Sequence, residues 1–381
     1  MMEQRGATCL VRQASGLAIC AVIALISPTA RAAPAEIPVT AKTGVMVIPE
    51  KYDDAHPFQE GLAAVKVGDR WGYIDKSDKT IIAPQYVQVT DFQGGLAFVE
   101  TQDYDLRFID KTGHDPFGAR FQNVSVSFDF AKGYVGVEVN NKWGFIDKTG
   151  KYILTPQFDE RDTPTDCCAD SNGVRWQSVD FREGLAAVKS GGKWGYIDVT
   201  GKLVIAAQFD DAEDFAQGLA VAQQGQKYGY IDHSGKWVIA PQFDSADAFA
   251  EGLADVELNK TWGWIGPDGT FKIPARFDWV TPALLDQDTW RGGLAVAELN
   301  NVMGYVDKGG NFSPQNKFFY LDSYSEDLSV AGTGNDLNGR FGFIDRRGKI
   351  VVPLKYHHAF GFSEGLAVVA SDKNKYGYIS R

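Results

Sequence analysis

A word of about 34 residues recurs along this chain, and that recurrence restricts its fold more than any other feature. FDDAEDFAQGLAVAQQGQKYGYIDHSGKWVIAPQF runs from Phe209 to Phe243, and FDSADAFAEGLADVELNKTWGWIGPDGTFKIPARF follows from Phe243 to Phe277. A repeat of this length marks solenoids, propellers and arrays, because one unit cannot bury its own apolar face and must stack on its neighbours. Within the unit, Leu219 to Gln223, Lys227 to Asp232 and Lys236 to Pro241 have the length and the aromatic, β-branched content of strands. Asp232 and Gly235 bracket a type I turn, and DKTG at 147–150, DVTG at 198–201 and DRRG at 345–348 fill the same slot. The recurrent Asp therefore reads as a carboxylate that accepts hydrogen bonds from turn backbone. Asp210 with Glu213 has the spacing of a capping box, which predicts a helical turn or compact loop over 209–218.

Ahead of the repeats, Arg5 and Arg12 precede an apolar run from Leu17 to Ile26, and Ala30-Arg31-Ala32 supplies a cleavage site. The run is too short to span a bilayer, so residues 1–33 read as a signal peptide cleaved near Ala32 or Ala33, and the chain as exported, periplasmic or secreted. Residues 34–44 form a leader and 45–381 the repeat domain, with no transmembrane segment expected in it. The chain has 38 basic and 49 acidic residues, and losing Arg5, Arg12, Arg31 and Glu3 with the signal peptide leaves a net charge near −13. Nucleic acid and anionic membranes are poor partners for such a surface.

Copies of the second strand carry an aromatic followed by Gly: Trp71-Gly72, Trp143-Gly144, Trp194-Gly195, Tyr228-Gly229, Trp262-Gly263, Phe341-Gly342 and Tyr376-Gly377. Leu106-Arg107 and Met303-Gly304 hold the slot in two weaker copies. A Trp here buries a large area while Gly leaves room for close approach, so a packing role is favoured over an exposed aromatic row that binds sugars. The words F-x-E-G-L-A (58–63, 181–186, 249–254), K-W-G-Y-I-D (193–198) and G-K-x-V-I (235–239) resemble the bacterial WG-repeat family over essentially all of 45–380. That resemblance implies tandem β-rich repeats and no general activity or ligand. The fold expected is all-β, about nine three-stranded antiparallel meanders in a curved or superhelical array. A closed propeller-like ring is the alternative, because 45–52 is an orphan third strand and 376–380 an orphan second strand.

Insertions in repeat arrays map to one face, often the binding face. Asp147 and Asp198 are 51 residues apart, and the excess at 159–180 holds Cys167 and Cys168 with Arg175 and Trp176. Adjacent cysteines in an exported chain form a strained vicinal disulfide, remain thiols or pair with another chain; a soft-metal site would need further ligands. Asp159, Asp210, Asp244 and Asp278 repeat at one unit position and make a candidate partner-binding row with Arg175 and Trp176. His357 and His358 fall at the unit positions of Asp53 and Asp54, so if the ends meet His56 joins them, although ordinary surface histidines are the preferred reading. No H-E-x-x-H, G-x-S-x-G or phosphate-loop signature occurs. The expectation is a non-enzymatic scaffold without cofactor or metal, binding a protein or cell-envelope partner, with a glycan or wall-polymer module as the rival.

Overall fold

The computed structural model describes residues 43–124, 134–158, 181–281, 290, 293–334, 339–371 and 375–381. These fold into nine separate antiparallel sheets, seven of four strands and two of three. Blade 5 shows the plan: Asp211–Ala216, Leu219–Gln224, Lys227–Ile231 and Trp237–Phe243 pair in chain order. The ninth blade takes His358–Ala359, Leu366–Ala370 and Tyr376–Ser380 from the end of the chain and Met46–Tyr52 from its beginning. Ile48 pairs with Tyr378 and Tyr52 with Tyr376, so the ring is closed by the two orphan strands. The protein is a nine-bladed β-propeller.

The superhelical array and the three-stranded unit are both overturned by this pairing. Residues 211–216, where the Asp210–Glu213 spacing predicted a helical turn, are extended and hydrogen-bond to the following strand. Ala212 and Phe215 face the core with polar residues between them, and burying both against the next strand favours the extended form over a turn. In other blades this first strand has only two residues, as at Asp54–Ala55 and Ser245–Ala246. Blade 2, built from Gln88–Val89, Leu96–Glu100 and Leu106–Asp110, lacks a fourth strand, and only a Leu106–Phe121 bridge stands in its place.

Each apolar cluster straddles two blades, which is why the units must stack. One joins Trp194, Tyr196, Ile205 and Phe209 of the fourth blade to Ala212, Phe215, Ala220 and Ala222 of the fifth. The turn after the third strand behaves as its sequence predicts: Asp232 Oδ1 accepts from Ser234 N–H (2.8 Å), Ser234 Oγ (2.6 Å) and Lys236 N–H (3.2 Å). Asp75, Asp110, Asp147 and Asp198 make the same bonds, while Asp268 substitutes where Gly266 replaces the Asp. No helix among the described residues is long and apolar enough to cross a membrane.

Candidate partner-binding surface

The Trp-Gly pairs belong to the blade interior. Trp143 is 0% exposed, Trp194 2% and Trp71 9%, and Tyr376 is also buried; Tyr228, Trp262 and Phe341 are partly covered. The adjoining glycine lies against the fourth strand, where the register slips between Trp194–Phe209 and Tyr196–Ile205. A Cβ on Gly195 would stand 2.5 Å from Ile205 O and 2.7 Å from Ala207 N, and Gly72, Gly144, Gly229, Gly263, Gly342 and Gly377 are equally confined. Arg107 is admitted at the same slot in blade 2 because no fourth strand lies there.

The residue two places after the Trp, which the sequence reading passed over, is an inter-blade staple. Tyr73 Oη donates to Thr90 O (2.7 Å), Tyr196 to Glu213 O (2.6 Å), Tyr230 to Asp247 O (2.9 Å) and Tyr378 to His56 O (2.9 Å). Burial holds the Tyr73, Tyr230 and Tyr378 phenols well above their ordinary range. Alternation within K-W-G-Y-I-D is the signal that would have found them, since it puts Tyr on the face of the Trp. The Glu of F-x-E-G-L is a second link: Gly94 and Gly95 N–H donate to Glu60 (2.7 and 3.0 Å), Gly218 N–H to Glu183 (3.0 Å) and Gly61 N–H to Glu364 (3.1 Å). The last of these runs across the ring closure.

The acidic row does recur at one place, and its carboxylates are engaged. Asp210 pairs with Lys193 of the preceding blade and accepts from Gly225 N–H (2.8 Å) in the hairpin of its own. Asp244 does the same with Lys227 and Asn259 N–H, and Asp278 accepts from Asn300 N–H. The Lys193 ammonium, then the Gly225 amide, hold Asp210 below the usual carboxylate range; Lys227 and Asn259 do so for Asp244. Asp210 and Asp244 thus clip blades together, and their side chains remain partly exposed. Asp159, Cys167, Cys168, Arg175 and Trp176 lie outside the described residues.

At the closure, His56 Nδ1 sits 2.8 Å from Asp91 Oδ1 and its ring 4.7 Å from that of Trp71. His358 stacks on Tyr376 instead, and among the described residues no group of three or more His, Cys, Asp or Glu is placed to hold a metal ion. Outward from the blades, the second residue of the fourth strand is an exposed aliphatic: Val47, Ile81, Ile153, Val204 and Val238, the last 50% exposed. Pro49, Pro84, Pro156 and Pro241 follow within three residues and blunt these edges against strand addition.

This is a closed ring of blades knit by a repeated aromatic-glycine word. The model of the WG containing repeat matches residues 42–71, 71–104, 143–160, 175–194, 194–228, 228–262, 262–283 and 341–379. The matches cover more than half of the chain, which belongs to the WG containing repeat family. None of the curated protein sequences matches it. Among solved structures, it is similar to a eukaryotic initiation factor at 11% identity, with 82% of this chain and 90% of that one covered and a TM-score of 0.54. BamB from Moraxella catarrhalis (11% identity, 67% and 81% covered, TM-score 0.36) and the WD40 propeller of Doa1 (11%, 89% and 97%, TM-score 0.28) also match. At such identity the initiation-factor likeness shows the fold alone.

Proposed function

We propose that this protein is an exported, non-enzymatic scaffold that binds a protein or cell-envelope partner through the insertion at 159–180 and the surface around it. The observation that carries the reading is the burial of the WG aromatics. An aromatic row that stacks on sugars has to face solvent, and Trp71, Trp143 and Trp194 are sealed between blades. What the ring offers outward is short loops, half-exposed carboxylates and the aliphatic row of the fourth strands, a surface suited to a protein. The turn carboxylates accept backbone hydrogen bonds blade after blade, so their recurrence is accounted for by folding. The segment 1–33 supplies the export signal, and the net charge argues against nucleic acid.

The test is a pulldown from the envelope of the exporting cell, with the mature protein set against a version lacking Glu160 to Val179. Loss of a protein partner with the deletion is the expected result. Retention of wall polymer or glycan alone, unaffected by the deletion, would replace this reading with the glycan-binding one.

A further inference from the structure

The fourth strand is the outer edge of each blade, and a proline stands in it almost everywhere. Pro49, Pro84, Pro156, Pro241, Pro274, Pro314 and Pro353 occupy the fourth strands of blades 9, 1, 3, 5, 6, 7 and 8. Blade 4 has none. Its strand reads LVIAAQF from Leu203 to Phe209, with Ala206 where blades 6, 8 and 9 carry proline and Ala207 where blades 1, 3 and 5 do. It also contains no charged residue, so neither of the usual guards against strand addition is present. Since the other blades are built with proline at one or the other place, a blade's own ladder can do without either amide. Among the described residues, Leu203–Phe209 pairs only with Lys193–Asp198 and is the last strand of its sheet. Lys202, Leu203, Val204, Ala206 and Gln208 are exposed, Leu203 to 46% and Val204 to 43%.

We propose that this edge is a homodimer interface, on which Leu203–Phe209 pairs antiparallel with the same strand of a second copy; the proposal stands whether or not the scaffold reading above holds. An edge strand turns alternate amides and carbonyls away from its sheet, and another extended strand is what meets them. Three observations select a second copy. Among the described fourth strands only this one is unguarded, so pairing about a twofold axis closes as a dimer and does not run on into a fibre. The strand is uncharged, so lying beside itself it opposes no like charges. Antiparallel pairing also brings Lys202 of each copy to the Asp210 end of the other's strand, which sets opposite charges at both ends of the contact. Asp210 already accepts from Lys193 and Gly225 N–H, yet its side chain is 37% exposed and a carboxylate has further acceptor positions. That local match lets two strongly acidic chains approach at this one place.

The test is sedimentation velocity on the mature protein over a concentration series, with hydrogen exchange of the edge amides alongside. One strand pair is a small interface, so a reversible dimer that grows with concentration is expected, and the amides of Leu203–Phe209 should exchange more slowly as it forms. Ala207→Pro should weaken the dimer at least about tenfold, because both copies lose an edge amide and set a proline ring against the incoming strand. The variant should melt within about 2 °C of the wild type, since Pro84, Pro156 and Pro241 hold the same place in intact blades. Lys202→Glu should also weaken the dimer, as should added salt in the wild type. A monomer at every concentration overturns the proposal, even one whose edge amides are slowed by an envelope partner. A dimer undiminished in folded Ala207→Pro, or one that leaves exchange of Leu203–Phe209 unchanged, places the contact elsewhere and overturns it too; the exchange result decides without any variant. A dimer undiminished in Lys202→Glu overturns the antiparallel arrangement.

Discussion

Replacing Gly195 by Ala separates two demands that make glycine necessary. Its backbone conformation is ordinary, but a Cβ would stand 2.5 Å from Ile205 O, 2.7 Å from Ala207 N and 2.9 Å from Ala206 C. All three atoms are backbone of the paired fourth strand, so no side chain can rotate away and the strand itself must move. That breaks or stretches the Trp194–Phe209 and Tyr196–Ile205 pairings and unseats Trp194 from the cluster shared with blade 5. The cost belongs at the upper end of overpacking, about 3 kcal/mol. Gly218 poses the opposite case: its φ is +87° and a Cβ there would meet nothing within 4 Å. Alanine at 218 keeps the N–H that donates to Glu183 and costs only the left-handed strain, about 1–2 kcal/mol. At roughly 2 °C per kcal/mol for a large domain, thermal melts should place Gly195→Ala below Gly218→Ala, and both below the wild type. Equal melting of the two variants, or Gly218→Ala the less stable, would refute the claim that close strand approach sets the WG glycine.

Tyr378→Phe removes the staple to His56 O across the closure and should cost about 1 kcal/mol by thermal melting, as Tyr196→Phe should within the ring; no loss in either would show the staples idle. Deleting residues 43–52 leaves Tyr376–Ser380 without its outer partner, so limited proteolysis should cut first in blade 9, and protection equal to the wild type would argue that the ring does not depend on its closure. Burial opposes protonation of His56, but the Asp91 carboxylate and its hydrogen bond outweigh it, so the imidazole titrates above its ordinary value. The stabilising contribution is then full below the unfolded pKa of about 6.5 and fades as pH rises through the folded value. The melting advantage of wild type over His56→Gln should shrink with rising pH, and a constant advantage would sink the argument. Asp198 is held low by the Thr200 hydroxyl, opposed by slight desolvation, and then by the Thr200 and Lys202 amides. Its contribution is present above the ordinary carboxylate range and lost as pH falls through the folded value, so wild type and Asp198→Ala should converge in acid melts.

What the sequence made legible is whatever one unit decides within itself. The turn Asp, the three longer strands and the Trp-Gly packing role all follow from residues a few places apart, and the structure has each of them. Ring closure is a property of the stack. It depends on how far each blade turns against the next, which is set by the aromatics packed between blades, by the links from Tyr73 and Glu60 to the following blade and by the link from Asp210 back to the preceding one. None of those contacts lies within a unit, and an orphan strand at each end suits an open array as well as a ring until Ile48 is seen beside Tyr378. The first strand was missed for a related reason. Two residues such as Ser245–Ala246 carry no periodicity, and Asp211–Ala216 is extended only because Ala212 and Phe215 are buried against neighbouring strands.

The acidic row shows how a correct pattern misleads about purpose. Asp210, Asp244 and Asp278 recur because each closes a hairpin through a backbone amide, and a repeat protein repeats its structural bonds most faithfully. Recurrence in an array therefore argues for folding, and departures from it are where a ring with nine similar blades can distinguish one direction from another. Leu106-Arg107 is such a departure, and it changes the two things the repeat otherwise protects: the indole between blades and the strand that confines the glycine. A loosened copy loses packing, and on one side it is still tied to its neighbour, because Glu60 of blade 1 accepts from Gly94 and Gly95 N–H. Tightening blade 2 with Leu106→Trp, which restores the aromatic that Trp71 and Trp194 supply in sibling blades, should therefore raise the melting temperature, and a variant that melts below the wild type would show that the slot has closed around the leucine.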